Sequence, residues 1–512
     1  MDTDSTRWLK LRSGSDIRGP ETQLTDEMAR KIGYAFACWL AARRNTTPDA
    51  LKIAVGRDSR ESGVRLMRAL IRGITAADSD VLDCGLCAAP ALFMTVCVNQ
   101  AEASADGAVM VTADHQAQGM NGFKFITAST APGESGGLTD ADVATILRMA
   151  AVTEVPERLV TRRDLMPGYR GFLRQVAARY LEDDALKPLL GMRVVVDASN
   201  GAGGFFAEFL EELGAETTGS CNLEPNGDFP GHQPAPDDPK ALSALKQAVL
   251  DNRADLGVIF DVDCDRASIV DQDGRFLGQN RLIALMAAML LENHPGATFV
   301  TDSVTSSGLS AFIAEWGGIH YRFKRGYRNV IDEAIRLNAE GIDCPLAIET
   351  SGHAAFRENG FIDDGIYLAL RVICEALNRK REGETLFALI GDLQEPVESM
   401  EIRLPILEFE DWTPEEQVQQ IVEIILSHTL EHPEWHLAND NREGVRIMFN
   451  LDDGVNNAWF QLRKSVHDPV VALNAESDVP GGVKRMLGWL CELIGNTEML
   501  DTAPLKDALK AQ

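Results

Sequence analysis

Leu256-Gly257-Val258-Ile259-Phe260-Asp261-Val262-Asp263-Cys264-Asp265-Arg266 sets a short apolar run directly against three alternating carboxylates and an arginine. The run reads as a buried β-strand. A turn at its end lets side chains at alternate positions close around one hard cation. Oxygen-only ligation favours Mg2+, which keeps open positions for water or a phosphate oxygen. Arg266 can grip a phosphate with its guanidinium fork. The blander alternative is a solvated acidic turn, which a pattern this regular after a buried strand disfavours. EF-hand calcium is excluded, because no Gly at the sixth loop position and no Glu at the twelfth follow.

The same theme recurs along the chain. Leu51–Asp58, Ala108–Asp114, Arg193–Asp197 and Thr298–Asp302 are apolar runs that stop at an acidic or small polar turn. Helical patterns such as Glu61–Ala77 and Arg281–Glu292 separate them, so the runs read as parallel strands in several similar α/β layers. Chemistry collects at the carboxyl ends of such strands. Here those ends carry Asp58, Asp114, Asp261 and Ser303. After Leu404 the pattern changes to a helix (Pro414–His428), two strands (Gly444–Asn450 and Ala458–Leu462) and a final helix (Val483–Ile494), a smaller α+β module. Thr413 reads as the N-cap of the first of these helices, after Asp411 and Trp412, with Pro414 at the first helical position. Trp489 reads as a core residue.

The chain has 512 residues, enough for three or four domains. Its composition is that of an ordinary globular protein, with 45% hydrophobic and 25% charged residues, which argues against disorder and fibrous folds. Asp plus Glu number 77 against 49 Lys plus Arg, a formal charge of −28. Such a chain repels nucleic acid and anionic membrane, so an anionic ligand needs a local cluster of cations. The longest apolar run, Leu282–Leu291, is about half of a membrane span. Met1–Lys10 is polar, without a signal-type apolar stretch. Nine cysteines, with Cys84 and Cys87 as the only close pair, make neither a disulfide framework nor a zinc site and read as thiols of a reducing cytoplasm.

Three further segments carry chemistry. Glu349-Thr350-Ser351-Gly352-His353 follows an apolar run and precedes Asp363-Asp364-Gly365; a carboxylate, a hydroxyl and an imidazole on one loop suit a hydroxyl-rich ligand. A capped turn with an incidental His is the plainer reading of that loop. Arg463-Lys464-Ser465-Val466-His467-Asp468-Pro469, after the strand-like Ala458–Leu462, offers the local positive patch that the global charge requires for a phosphate dianion. Gly14–Gly19 places Arg18 in a turn permitted by Gly19.

Taken in this order, these segments resemble the α-D-phosphohexomutase superfamily, which includes phosphoglucomutase, phosphomannomutase and phosphoglucosamine mutase. The resemblance runs from Ser15 to about Pro480 and takes in Gly56-Arg57-Asp58, Asn121-Gly122-Phe123-Lys124, Asn226–His232 and Arg325-Gly326-Tyr327-Arg328. It implies four domains around a cleft: three similar mixed α/β domains and a C-terminal α+β domain of the TATA-box-binding-protein-like type. The corresponding ranges are 1–155 with the nucleophile loop, 156–280 with the metal loop, 281–400 with the sugar-binding loop and 401–512 with the phosphate-binding loop. It implies transfer of a phosphoryl group between C1 and C6 of a phosphorylated hexose, with Mg2+ as cofactor and hexose 1,6-bisphosphate as activator. By resemblance Asp261, Asp263 and Asp265, with Asp114, ligate the metal. Asp114, Arg18, His115, Lys124 and His353 form the catalytic group, with Lys124 and His353 as acid/base candidates. Glu349 and Ser351 hold sugar hydroxyls, and Arg463, Ser465 and His467, with Arg266 and Arg328, bind phosphate. No partner chain is implied.

Two departures stand out. The phosphate loop replaces the commoner Arg-Pro-Ser-Gly-Thr-Glu-Pro, which places the chain in a divergent branch. Thr112-Ala113-Asp114-His115-Gln116-Ala117 stands where the family has Thr-Ala-Ser-His-Asn-Pro, so Asp114 replaces the serine that carries the phosphoryl group. Three functions stay open on sequence: a mutase working through Asp114, a catalytically silent phosphosugar binder in which Asp114 is a fixed anion, and a sugar phosphatase in which Mg2+ activates water.

Overall fold

The computed structural model describes residues 7–97, 104–127, 136–155, 164–182, 186–409, 412–429, 432, 434–465 and 468–511. They form two compact units, Met1–Leu285 with Ala334–Gly391, and Met286–Glu333 with Asp392–Gln512. His467 and Asp411 lie outside the described residues, as does part of the stretch around the expected first domain boundary.

In the first unit, strands β1 (Arg12–Ser13), β2 (Asp16–Pro20), β3 (Lys52–Arg57), β4 (Asp80–Leu86), β5 (Gly107–Val111) and β6 (Met120–Thr127) make a sheet in the order β1-β2-β6-β5-β3-β4. The apolar runs at β3 and β5 are parallel to each other, as expected. The rest of the sheet is mixed, because β6 runs antiparallel to both β5 and β2. The same holds for β7 (Val194–Asp197), β8 (Leu256–Phe260), β9 (Ala267–Asp271) and β10 (Phe276–Leu277), where only β7 and β8 are parallel. The runs read as parallel strands are parallel here, and the antiparallel members β6 and β9 are inner strands outside that reading. Strands β6 and β9 return directly from functional loops, and a return this short permits only an antiparallel partner.

The helices Asp26–Arg43, Glu61–Ala76 and Asp140–Val152 supply apolar faces to one continuous core with the first sheet. That core leaves the carboxyl ends of its strands to the loops. The metal-loop segment Asp261–Arg266 is the connection of the β8–β9 hairpin, with Phe260 paired to Ala267. It turns tightly at Cys264, whose φ is +64°.

Strands β11 (Thr298–Thr301) and β12 (Ile319–Arg322) are parallel and belong to the second unit. In the first unit, β13 (Leu346–Ile348) and β14 (Ala354–Phe356) form a hairpin whose connection is Glu349–His353. Gly352 has a φ of +92°, and a Cβ there would stand 2.5 Å from the Ala267 carbonyl oxygen. Only glycine lets this hairpin lie against the start of β9, where a backbone bridge joins Arg266 and His353.

The C-terminal part of the second unit is α+β, as expected. Strands β15 (Glu398–Pro405), β16 (Trp435–Leu437), β17 (Val445–Phe449), β18 (Ala458–Lys464) and β19 (Val470–Ser477) form an antiparallel sheet ordered β15-β19-β18-β17-β16. Helices Pro414–Thr429 and Gly482–Ile494 pack on it. Thr413 caps the first reciprocally: Glu416 N–H donates to Thr413 Oγ1 at 3.3 Å, and Thr413 N–H to Glu416 Oε2 at 2.7 Å. Trp489 stacks on Phe449 in the core, with ring centroids 5.3 Å apart. A further helix, Ala503–Ala511, follows the one expected to be last. It buries little beyond Leu505, too weak an apolar stripe to signal itself in sequence.

Candidate active site

Three neighbouring strands of the first sheet aim charge at one point. Arg18 sits on β2 opposite Gly122 of β6, and Lys124 sits on β6 opposite Met110 of β5. Asp114 follows the end of β5, buried, with a left-handed φ of +51°. Its backbone N–H donates to Thr112 Oγ1 at 2.9 Å. One Asp114 oxygen pairs with Arg18, which Asp16 Oδ2 steadies at 2.8 Å, and the other lies 2.7 Å from Lys124 Nζ.

The β8–β9 turn meets this group. Lys124 Nζ pairs with Asp265 and stands 3.5 Å from Asp263 Oδ2. One oxygen from each of Asp114, Asp263 and Asp265 lies within 4.8 Å of the others. Both Asp263 oxygens and Asp261 Oδ1 are buried without a hydrogen-bond donor among the described residues. Burial and the neighbouring Asp265 push the Asp261 carboxyl up to about 8, and burial raises Asp263 well above its ordinary range. Asp265 goes the other way: despite burial, Lys124 and His353 hold it well below the usual carboxylate range. Among the described residues the three convergent carboxylates share Lys124 and Arg18 as their Lys and Arg ion-pair partners. The remaining charge and the orphaned oxygens fit a hard divalent cation.

Asp261 neighbours Asp265 and also faces Arg266. Its Oδ2 lies 3.3 Å from Arg266 Nε, and Arg266 Nη1 donates to the Ser351 carbonyl at 3.4 Å. Arg266 Nη2 is buried without a protein acceptor, so part of this fork is available to an anion. His353 bridges the two hairpins: its Nε2 is 3.4 Å from Asp265 Oδ1 and its Nδ1 is 2.8 Å from Ser351 Oγ, with Glu349 Oε2 at 3.7 Å. Burial, with Arg266 and Lys124 nearby, lowers the His353 imidazole below its ordinary value although Asp265 opposes the shift. His115 is exposed; crowding by protein atoms and the charges of Arg266 and Arg18 keep its imidazole neutral.

Sequence reasoning gave no role to Asp363, which is buried on the same side. Burial, then Asp265 and Glu349, raises its carboxyl, and its Oδ2 has no donor. The Asp363-Asp364-Gly365 triplet was the available signal. Its two acids differ in task, since Asp364 caps helix Gly365–Glu382 through Tyr367 N–H and accepts from Tyr169 OH, both at 2.7 Å.

The second unit holds the phosphate-loop candidates. Arg463, at the end of β18, is buried, and its Nε has no acceptor among the described residues. Burial and the adjacent Arg325 lower its pKa, so two guanidiniums confront one another there. Ser465 N–H donates to the Val470 carbonyl at 2.8 Å, and Ser465 Oγ accepts from Asp468 N–H at 3.3 Å. Lys464 turns away to pair with Glu415. Arg328 pairs with Asp332 at 3.0 Å on its own helix, whereas Arg325, three residues earlier, is the member of that segment beside Arg463.

Family models for phosphoglucomutase/phosphomannomutase α/β/α domains I, II and III match residues 10–136, 170–274 and 278–396. Phosphomannomutase/phosphoglucomutase of Pseudomonas aeruginosa is 30% identical over 480 residues, covering 92% of each chain. A crystal structure of a phosphoglucomutase/phosphomannomutase family protein from Burkholderia thailandensis superposes with a TM-score of 0.77 at 25% identity, over 98% of this chain and 100% of that one. N-acetylphosphoglucosamine mutase of Aspergillus fumigatus, solved with GlcNAc-6P and magnesium, shares the fold at 15% identity with a TM-score of 0.53, over 88% of this chain and 84% of that one. With three successive domain matches and 30% identity carried over nearly its whole length, the chain belongs to the phosphoglucomutase/phosphomannomutase family.

Proposed function

We propose that this chain is a Mg2+-dependent phosphohexomutase that interconverts hexose 1-phosphate and hexose 6-phosphate with hexose 1,6-bisphosphate as activator. The observation that carries the reading is the convergence of Asp114, Asp263 and Asp265 within 4.8 Å of one another around Lys124. Asp263, Asp265 and Asp114, with Asp261 behind them, would hold the metal, whose charge would stabilise the phosphoryl oxygens during transfer.

Asp114 is the proposed phosphoryl carrier. Once phosphorylated by the bisphosphate, its carboxylate yields the phosphoryl group to the free hydroxyl of the hexose monophosphate, giving the 1,6-bisphosphate, and then accepts a phosphoryl group back as the other sugar O–P bond breaks. The proton lost by the attacking hydroxyl passes through His353 or Lys124 and is returned to the leaving oxygen. Arg18 holds Asp114 and would meet the transferring oxygens, with His115 at the exposed edge. Glu349 and Ser351 accept from or donate to sugar hydroxyls. Arg463, Ser465 and His467, with Arg325 beside them and Arg266 and Arg328 as further cations, are the proposed anchors for phosphate. Four domains with boundaries near 155, 280 and 400 and a cytoplasmic location belong to the same proposal; no described helix is long and apolar enough to cross a membrane.

The test is a coupled assay with Mg2+, hexose 1-phosphate and catalytic bisphosphate, run on this chain and on Asp114→Ser. Turnover by the parent, with phosphate label recovered on Asp114, is the expected result. Turnover by Asp114→Ser alone would make Asp114 a fixed anion and overturn the mutase reading. Silence from both would overturn the substrate class as well.

A further inference from the structure

The loop that presents Asp114 has few bonds of its own. Gln116 N–H donates to the Ala113 carbonyl at 3.1 Å and Met120 N–H to the Ala117 carbonyl at 3.3 Å. Neither bond explains how a non-glycine residue is kept at a φ of +51° at Asp114. The missing restraint comes from outside the loop. Arg60, 2% exposed at the start of helix Glu61–Ala76, sends its guanidinium into the middle of the turn. Its Nη2 donates to the carbonyls of Asp114 at 2.6 Å and Gln116 at 2.5 Å, and its Nη1 to those of Ala117 at 3.0 Å and Met120 at 3.1 Å. Four carbonyls of one seven-residue turn thus converge on a single side chain.

The guanidinium is itself held in place. Asp58 Oδ2 lies 3.2 Å from Arg60 Nε, and Asp58 Oδ1 accepts the Arg60 backbone N–H at 2.9 Å. The Phe229 ring lies 5.1 Å from the guanidinium carbon. A Cβ at Gly227 would stand 2.8 Å from Arg60 Cα, so the Asn226–Gly231 stretch closes over the clamp only because that position is glycine. Gln118 donates to Asp228 across the same seam. The two terminal nitrogens of a planar fork carry four donors for four fixed carbonyls while Nε faces the Asp58 carboxylate; an ammonium with three donors cannot do this.

We propose that Arg60 is the positioning residue of the phosphoryl loop: it sets the backbone of residues 114–120, and with it the aim of the Asp114 carboxylate, and ties that loop to the 226–231 stretch. The inference rests on the proposed function only for what the loop does in transfer; the clamp itself is a statement about backbone geometry. Arg60 reaches Asp114 only through its backbone carbonyl, and no hydrogen bond described above joins it to Asp263, Asp265 or the sugar loop.

The experiment compares the full chain with Arg60→Lys, which keeps the charge beside Asp58, and with Arg60→Ala. Hydrogen exchange of peptides spanning 112–120 is read beside steady-state kinetics. The expected result is exchange about tenfold faster or more in 112–120 for both variants, with the strands of the first sheet unchanged. With it, kcat falls by about 10²-fold while KM stays within about twofold. Unchanged exchange in 112–120 overturns the proposal. So does faster exchange spread over the whole sheet in Arg60→Lys, which would make Arg60 a fold residue. A parent that does not turn over would defeat the functional reading and leave the exchange measurement to decide the clamp.

Discussion

Lys124 touches Asp114, Asp263 and Asp265 with one ammonium. Such a contact does two opposed things: it compensates buried carboxylates when no cation is bound, and it competes with a cation for them. Lys124→Met is therefore expected to melt well below the parent in EDTA, since stripping one partner from a buried ionic cluster costs about 3–5 kcal/mol. It should gain more in Tm than the parent when Mg2+ is added, while kcat drops by about 10²-fold or more. Calorimetry with and without Mg2+ checks the first pair of outcomes; an equal gain in Tm for both proteins would contradict it. His232 Nε2 lies 2.9 Å from Asp197 Oδ2 at the end of β7. Burial opposes charge on both, but the mutual hydrogen bond wins: Asp197 is held below its ordinary 3.8 and His232 above its ordinary 6.5. The Asp197 contribution is present above 3.8 and lost as pH falls through its lowered pKa; the His232 contribution is full below 6.5 and lost as pH rises through its raised pKa. Urea unfolding at about pH 5.5 and about pH 8.5 should show the parent losing more stability on the rise than His232→Gln does.

Helices Asp26–Arg43 and Glu61–Ala76 cross with their backbones nearly in contact. A Cβ at Gly73 would lie 1.8 Å from the Arg30 carbonyl oxygen, and one at Gly33 would lie 2.2 Å from that of Leu70. Both obstacles are main chain, which cannot rotate away. Gly73→Ala should gain about 1 kcal/mol from helix propensity. It should nonetheless lose more than that by prising the helices apart, for a net loss of about 1–3 kcal/mol and a lowered Tm in scanning calorimetry. A raised Tm would mean that the crossing is looser than drawn here. The elements also differ in how far sequence revealed them. The strands at 52–57, 107–111, 194–197 and 256–260 were legible because β-branched runs ending at acidic turns are a local pattern. The returns at 120–127, 267–271 and 470–477 were not, since their apolar content only becomes strand-like once a neighbour is present to pair with.

At the scale of the whole chain, a formal charge of −28 makes the folded state self-repelling. Raising ionic strength from about 0.01 M to about 0.15 M shortens the Debye length from about 30 Å to about 8 Å, so Tm should rise over that interval. A fall in Tm would mean that local ion pairs outweigh the net repulsion. The same charge fits the sequestration of the cations proposed to bind anions, with Arg18, Arg463 and Arg266 all buried. Sequence by itself determined the repeated strand–turn units, the carboxylate turn after residues 256–260, the place of Asp114 and the order of the ligand loops, because each is written in neighbours a few residues apart. Only the tertiary structure decided that Arg18, Asp114 and Lys124 meet Asp263 and Asp265 while Asp261 pairs with Arg266, that Asp363 joins them, and that Arg60 grips residues 114–120. Apart from Asp261 with Arg266 and Asp114 with Lys124, the residues that meet lie tens to more than a hundred positions apart. What brings them together is strand pairing and the close packing of loops over glycines, a sum of weak contacts that no local spacing records.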